Sequence, residues 1–140
     1  MTRKSFVNLP VKDLRRSLGF FAALGFRFDP RLSDDAAACM VVNDGSFVML
    51  LTEPAFRRFT TKELADTARR TEVVLSVSVD RRDEVDELVN RAFMAGARPS
   101  LDPVQHEGVY SWGFEDLDGH LWEVLWTDPD LRNGRRTADR

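Results

Sequence analysis

The sequence predicts an α+β fold made of two tandem βαβββ modules. Three observations carry that prediction. Short apolar runs alternate at period two around two stretches of helical period. Asp-Gly turns follow apolar runs twice, at Asp44-Gly45 and Asp118-Gly119. Landmarks of the first half recur in the second at an offset that only grows. Asp13 and Asp80 are 67 apart, Leu24-Gly25 and Ala95-Gly96 71, the two Asp-Gly turns 74, and Thr52-Glu53-Pro54 and Thr127-Asp128-Pro129 75. A steady small growth is what a duplicated module with insertions produces. One such module leaves a sheet face uncovered, so two must share a core or pair across a dimer.

The elements follow in order. Phe6 to Val11 reads as a strand with Val7, Leu9 and Val11 on one face, and Pro10 confines it to an edge or a strand end. Asp13 caps a helix whose Leu14, Leu18, Phe21 and Leu24 recur at helical spacing, and Gly25 sits at the C-terminal cap. Strands are expected at Phe26 to Phe28, Ala37 to Val42 and Phe47 to Leu51. Residues 55 to 70 read as a polar connector with one short helix near Lys62 to Ala68. Module two, about 71 to 129, opens on Val73, Leu75, Val77 and Val79. A helix follows, capped by Asp80 or a neighbour and carrying Val85, Leu88, Val89, Ala92 and Phe93. Gly96 ends it, a loop rich in Pro and polar residues runs from Pro99 to Gly108, and strands at Val109 to Phe114 and Leu121 to Trp126 close the module. Residues 130 to 140 hold four arginines and little to bury, as a frayed tail would.

Composition narrows the function. The chain of 140 residues is 43% hydrophobic and 31% charged, with a formal net charge of -3. That balance gives no drive toward nucleic acid or an anionic membrane. Cys39 is the single cysteine, so neither an internal disulfide nor a zinc finger is available. The N-terminus lacks the apolar run of a signal peptide, and no apolar run approaches the roughly 18 residues of a membrane span. A cytoplasmic protein without a membrane or nucleic-acid partner is expected.

Three segments, FVNLPVKDLRRSLGFFAALGF, EVVLSVSVDRRDEVDELVNRAFMAGA and GFEDLDGHLWEVLWTDP, resemble the vicinal oxygen chelate superfamily. That superfamily includes glyoxalase I, bleomycin-resistance proteins, fosfomycin-resistance enzymes and extradiol dioxygenases. The likeness runs from about Ser5 to Pro129 and is nearest to the lactoylglutathione lyase-related branch. It implies a single domain, about residues 1 to 129, whose mixed sheets curl into a cup with helices outside. In many members that cup holds a divalent metal on His, Gln or Glu from the first and last strands of each module. It also implies a homodimer.

Carried over by position, those ligand sites fall on Phe6, Met49, Glu72 and Glu123. Glu72 comes from matching Val7, Leu9 and Val11 to Val73, Leu75 and Val77, an offset of 66. Phenylalanine cannot ligate, and a thioether suits the family's ions poorly. The expectation is no cofactor, or a divalent metal held weakly by Glu72 and Glu123. A four-residue turn at Asp116 to Gly119 would oppose Trp112 to Glu123. The cup lining would then be Phe6, Asn8, Phe47, Met49, Tyr110, Trp112 and Phe114. A register one residue away presents Val109, Ser111 and Gly113 instead. Cys39 reads as a small core residue and His120 as a surface or hairpin residue. Glu123, mid-strand among apolar neighbours, is the candidate general base. Two functions follow: a lyase or isomerase on a small oxygenated substrate, or a metal-free protein that binds and sequesters a small molecule. A third reading has the cup merely filled by side chains.

Overall fold

A computed structural model describes residues 3–132. The chain divides into two units, Met1–Arg70 and Thr71–Arg140, each built on its own sheet. The first unit comprises β1 (Ser5–Val11), α1 (Leu14–Ala23), β2 (Arg27–Asp29), β3 (Ala37–Asn43), β4 (Ser46–Thr52) and α2 (Glu53–Phe56). Its strand order is β1-β4-β3-β2, with β1 parallel to β4 and the other pairs antiparallel. Pro10 is tolerated because β1 is the sheet edge. Leu9, Val11, Met40, Leu50 and Phe21 are all at most 1% exposed. Each such side chain contributes roughly 1.5–3 kcal/mol by leaving water.

The second unit comprises β5 (Val74–Ser78), α3 (Arg82–Met94), β6 (Arg98–Pro99), β7 (Val104–His106), β8 (Val109–Glu115), β9 (Leu121–Thr127) and α4 (Pro129–Arg132). Its order is β5-β9-β8-β6, with β5 parallel to β9 and with β7 also against β8. The repeat is visible in the caps. Gly25 (φ 99°) and Gly96 (φ 110°) both end their helices in the left-handed region. In each case the N–H groups of the glycine and of the next residue turn back to the last helical turn, Gly25 to Ala22 and Phe26 to Phe21, Gly96 to Phe93 and Ala97 to Ala92. Asp13 caps α1 through the Arg16 N–H as expected, and α3 starts from Arg81, the neighbour of Asp80.

Three expectations are corrected. No helix forms over residues 62 to 68; the short helix lies earlier, at Glu53–Phe56, with a 3-10 turn at Arg57–Phe59 behind it. Thr52 caps it through the Ala55 N–H and Pro54 sits in its first turn. Further on, the Thr60 hydroxyl and the Asp66 carboxylate take the N–H groups of Lys62 and Ala68, local bonds that compete with a helix. Module two gains strand pairing at β6 and β7, within what the sequence reads as loop. Part of the expected tail is ordered as α4, the counterpart of α2 at the repeated Thr-acidic-Pro motif; the rest of the tail lies outside the described residues.

The fourth correction is the β8–β9 register. Glu115 pairs with Leu121, so the connection runs Asp116 to His120, one residue longer than a four-residue turn. The Asp116 N–H donates to the His120 carbonyl, and the Gly119 N–H to the Asp116 carbonyl. Gly113 therefore opposes Glu123, Trp112 opposes Val124 and Phe114 opposes Trp122. A slip of one exchanges the faces.

Gly113 is required where it stands. A Cβ there would lie 2.4 Å from the Trp122 carbonyl oxygen, which is backbone and cannot yield cheaply. Gly113→Ala should lower stability by about 1–3 kcal/mol in denaturant melts. Gly19→Ala, on the exposed side of α1 with nothing within 4 Å, should instead leave stability unchanged or raise it by up to about 1 kcal/mol.

Candidate functional site

In each unit one sheet face packs on a helix, and the other carries the positions where the resemblance expects ligands. In the first unit that ligand face presents Phe6, Asn8, Phe47, Met49 and Val41, because Phe6 pairs with Phe47, Asn8 with Met49 and Val41 with Phe47. Phe6 stacks on Phe47, ring centroids 4.9 Å apart and planes within 15°. Phe6 stays 45% exposed while Phe47 is buried. Lys4 Nζ stands 5.7 Å from the Phe47 ring centroid. Together with Asp29, Arg31, Leu32, Val41 and Asp44 these residues line a hollow of about 490 Å³. Arg31 bonds Asp29 through two nitrogens, at 3.1 and 3.0 Å, which holds the Asp29 carboxyl below its ordinary range. Cys39, wholly buried on the same strand system, has its thiol pushed up by burial and is chemically quiet.

In the second unit the ligand face presents Val74, Ser76, Leu121, Glu123, Ser111 and Gly113. Glu123 sits opposite Ser76, whose hydroxyl donates to Glu123 Oε1 at 2.8 Å. A smaller hollow of about 170 Å³ adjoins Glu123, bordered also by Val74, Ser100, Leu101, Asp102 and Val104. By register Tyr110, Trp112 and Phe114 fall on the opposite face, although Trp112 also borders this hollow. The Tyr110 hydroxyl donates to Asp86 of α3 at 2.6 Å, and Arg82 of α3 lies 4.1 Å over the Tyr110 ring. Trp112 packs edge-on against Phe93 of α3, and Phe114 stacks on Trp122. These three aromatics belong to the helix side, as the longer turn requires.

Glu72 also leaves the expected set. Strand β5 begins at Val74, and the parallel ladder pairs Val74 with Leu121 as β1 pairs Phe6 with Phe47. Since Phe47 and Leu121 differ by the turn offset of 74, the counterpart of Phe6 is Val74, an offset of 68 rather than 66. The Glu72 carboxylate instead accepts from His120 Nδ1 at 2.7 Å. His120, read from sequence as a surface residue, is 1% exposed. Beside it lies Asp116, 3% exposed, which accepts from the Asp118 and His120 backbone N–H groups and from the Trp122 indole N–H at 2.9 Å. Burial pushes the Asp116 carboxyl up, opposed by the His120 charge and by those hydrogen bonds. No local signal marks this cluster: a histidine directly after a turn glycine reads as a hairpin residue, and its partner Glu72 lies 48 positions away.

The metal expectation can now be tested on the residues present. By strand pairing the four positions are Phe6, Met49, Val74 and Glu123, which offer one carboxylate. Among the described residues no three of His, Cys, Asp and Glu come together as a ligand set. The donor set does not fit the family's metal.

The chain matches the family described as Glyoxalase/Bleomycin resistance protein/Dioxygenase superfamily over residues 5–124. A hypothetical protein of S. aureus is similar at 30% identity and TM-score 0.76, covering 90% of this chain and 94% of that one. A glyoxalase/bleomycin resistance protein/dioxygenase family enzyme of Burkholderia phytofirmans shares the fold at 18% identity and TM-score 0.75, covering 91% and 100%. The fosfomycin resistance protein FosX of Listeria monocytogenes, solved with Mn(II) and sulfate, shares it at 19% identity and TM-score 0.70, covering 98% and 99%. No curated protein matches the chain.

Asp116→Asn tests the buried cluster. The amide must turn its NH₂ either to the Trp122 N–H or to the two backbone N–H groups, and a donor then faces a donor. The variant should lose about 1–3 kcal/mol in denaturant melts although it removes a buried charge. Because the folded-state pKa of Asp116 is raised, the wild type loses stability as pH rises through that value. The gap should therefore be widest at acid pH and narrow above it. A more stable variant would show that desolvation of the carboxylate outweighs its bonds.

Proposed function

We propose a metal-independent, small-molecule-binding role for this chain, which belongs to the glyoxalase/bleomycin resistance protein/dioxygenase superfamily. The observation that carries the reading is the Phe6–Phe47 pair on the ligand face, half of it exposed above a hollow of small-ligand size. An exposed phenylalanine on an edge strand contributes little to stability, whereas it offers a flat apolar surface to a ligand. The donor set supports the same reading, since Phe6, Met49 and Val74 stand where ligand atoms would be needed. Met49 and Asn8 complete that face beside the aromatic pair. The ligand carries no metal-bridging requirement and is held by apolar contact with a few directed polar groups.

A second reading is favoured by one observation. Glu123 is held on its ligand face by the Ser76 hydroxyl, next to a hollow, where a carboxylate can take a proton from a small oxygenated substrate in a lyase or isomerase step. The two readings share a cytoplasmic homodimer, the commonest closed assembly for a chain of this kind. Among the described residues no helix is long and apolar enough to cross a membrane.

Protein purified without chelator should carry metal well below one equivalent. It should not turn over methylglyoxal–glutathione hemithioacetal, even with Ni²⁺, Zn²⁺ or Mn²⁺ added. The neutral fluorophore N-phenyl-1-naphthylamine should bind saturably to wild type and several-fold more weakly to Phe6→Ala. Stoichiometric tight metal, or turnover abolished in Glu123→Gln, would favour the enzymatic reading. Glu123→Gln keeps an oxygen for Ser76, so its melt should stay within about 0.5 kcal/mol of wild type. Sedimentation equilibrium should give twice the 16.0 kDa chain mass. A 16.0 kDa species alone at micromolar concentration would refute the dimer.

A further inference from the structure

The hollow of the first unit has a charge pattern as well as an apolar floor. Two cations and two carboxylates line it: Lys4, Arg31, Asp29 and Asp44. Arg31 and Asp29 neutralise one another through paired hydrogen bonds, Nε and Nη2 donating to the two carboxylate oxygens. Lys4 makes no close ion pair among the described residues, and its charge reaches the Asp29 carboxylate only at longer range, behind Arg31. Its ammonium lies beside the aromatic pair, 5.7 Å from the Phe47 ring centroid. That contact is an exposed cation–π interaction, weak enough for the ammonium to turn toward a better partner. An acid group on a ring laid against Phe6 would be such a partner, because a charge-assisted bond to an ammonium is roughly twice as strong as a neutral one. Asp44 stands on the β3–β4 turn at the same rim, so a cationic ligand is the competing occupant.

We propose that this hollow takes a planar aromatic anion, its ring against Phe6 and Phe47 and its acid group on Lys4. The proposal rests on the binding reading above and names the class of ligand. Lys4 is then the specificity-determining residue, and Phe6 the one that supplies affinity for any flat ring. Arg31 holds the Asp29 carboxylate through its Nε and Nη2 edge, which keeps that carboxylate from opposing the anion.

Titration calorimetry of the full chain with three ligands of one shape tests this: 2-naphthoate, 2-naphthamide and 2-naphthylmethylammonium. The naphthoate should bind about tenfold more tightly than the amide at low salt, and the advantage should shrink as salt is added. Lys4→Met keeps the apolar stem and removes the charge. It should bring the naphthoate down to the level of the amide and leave the amide unchanged. Phe6→Ala should weaken all three. Equal binding of acid and amide, an unaltered naphthoate affinity in Lys4→Met, or tightest binding of the ammonium would overturn the anion assignment while leaving a binding site in place. Failure of all three ligands to bind below millimolar, or Phe6→Ala without effect on any, would remove the binding reading itself. Both substitutions fall on exposed positions of the N-terminal segment, and circular dichroism verifies that each variant is folded.

Discussion

The parallel pairing of first and last strand decides what each unit shows to a ligand. In the second unit that pairing is anchored at its start by the hydrogen bond, 2.7 Å long, between buried His120 and the half-exposed carboxylate of Glu72. The bond fixes the entry of β5 against the head of β9, so Val74 meets Leu121 and Ser76 meets Glu123. Below it, Asp116 gathers the turn N–H groups and the Trp122 indole, which sets the length of the β8–β9 connection. The longer connection in turn sends Tyr110, Trp112 and Phe114 toward α3. One buried polar cluster thereby separates an aromatic helix face from a ligand face that is mostly small and polar. Among the described residues no buried side-chain nitrogen or oxygen is left without a partner, so the cluster is satisfied as well as buried.

The two units have diverged along different lines from one plan. The first keeps an aromatic ligand face, Phe6 on Phe47 with Met49 and Asn8 alongside. The second keeps the carboxylate Glu123, steadied by Ser76, and replaces the aromatic by Val74, itself 54% exposed. Phe6 and Val74 are equivalent positions, and both place a large apolar group where a metal site needs a lone pair.

Much of the fold was legible in the sequence because its signals are local. Asp13, Gly25, Gly96 and the Asp-Gly turns each work within a few residues, and their spacing exposed the duplication. The Phe6, Asn8, Phe47 and Met49 face was legible for the same reason, through period-two alternation in strands with unambiguous cores. What escaped was non-local. The offset at the start of module two depends on which residue of the strand first meets β9, and the valine run fits 66 as well as 68. The turn at Asp116 looks like four residues until His120 is known to be drawn into it by Glu72. The aromatic trio followed that error to the wrong face, since a slip of one residue moves every side chain across the sheet. Helix formation near Lys62 failed because hydroxyl and carboxylate side chains there bind backbone N–H groups that a helix would need.

Cross-strand Hα–Hα nuclear Overhauser effects along β8 and β9 test the register most directly. In an antiparallel ladder the non-hydrogen-bonded pairs bring their Cα atoms to about 4.5 Å, close enough for strong effects. The account predicts them between alternate members of the series Tyr110–Trp126, Ser111–Leu125, Trp112–Val124, Gly113–Glu123 and Phe114–Trp122. Strong effects joining Trp112 to Glu123 and Phe114 to Leu121 would contradict it, returning the three aromatics to the ligand face of the second unit and undoing the separation of faces there.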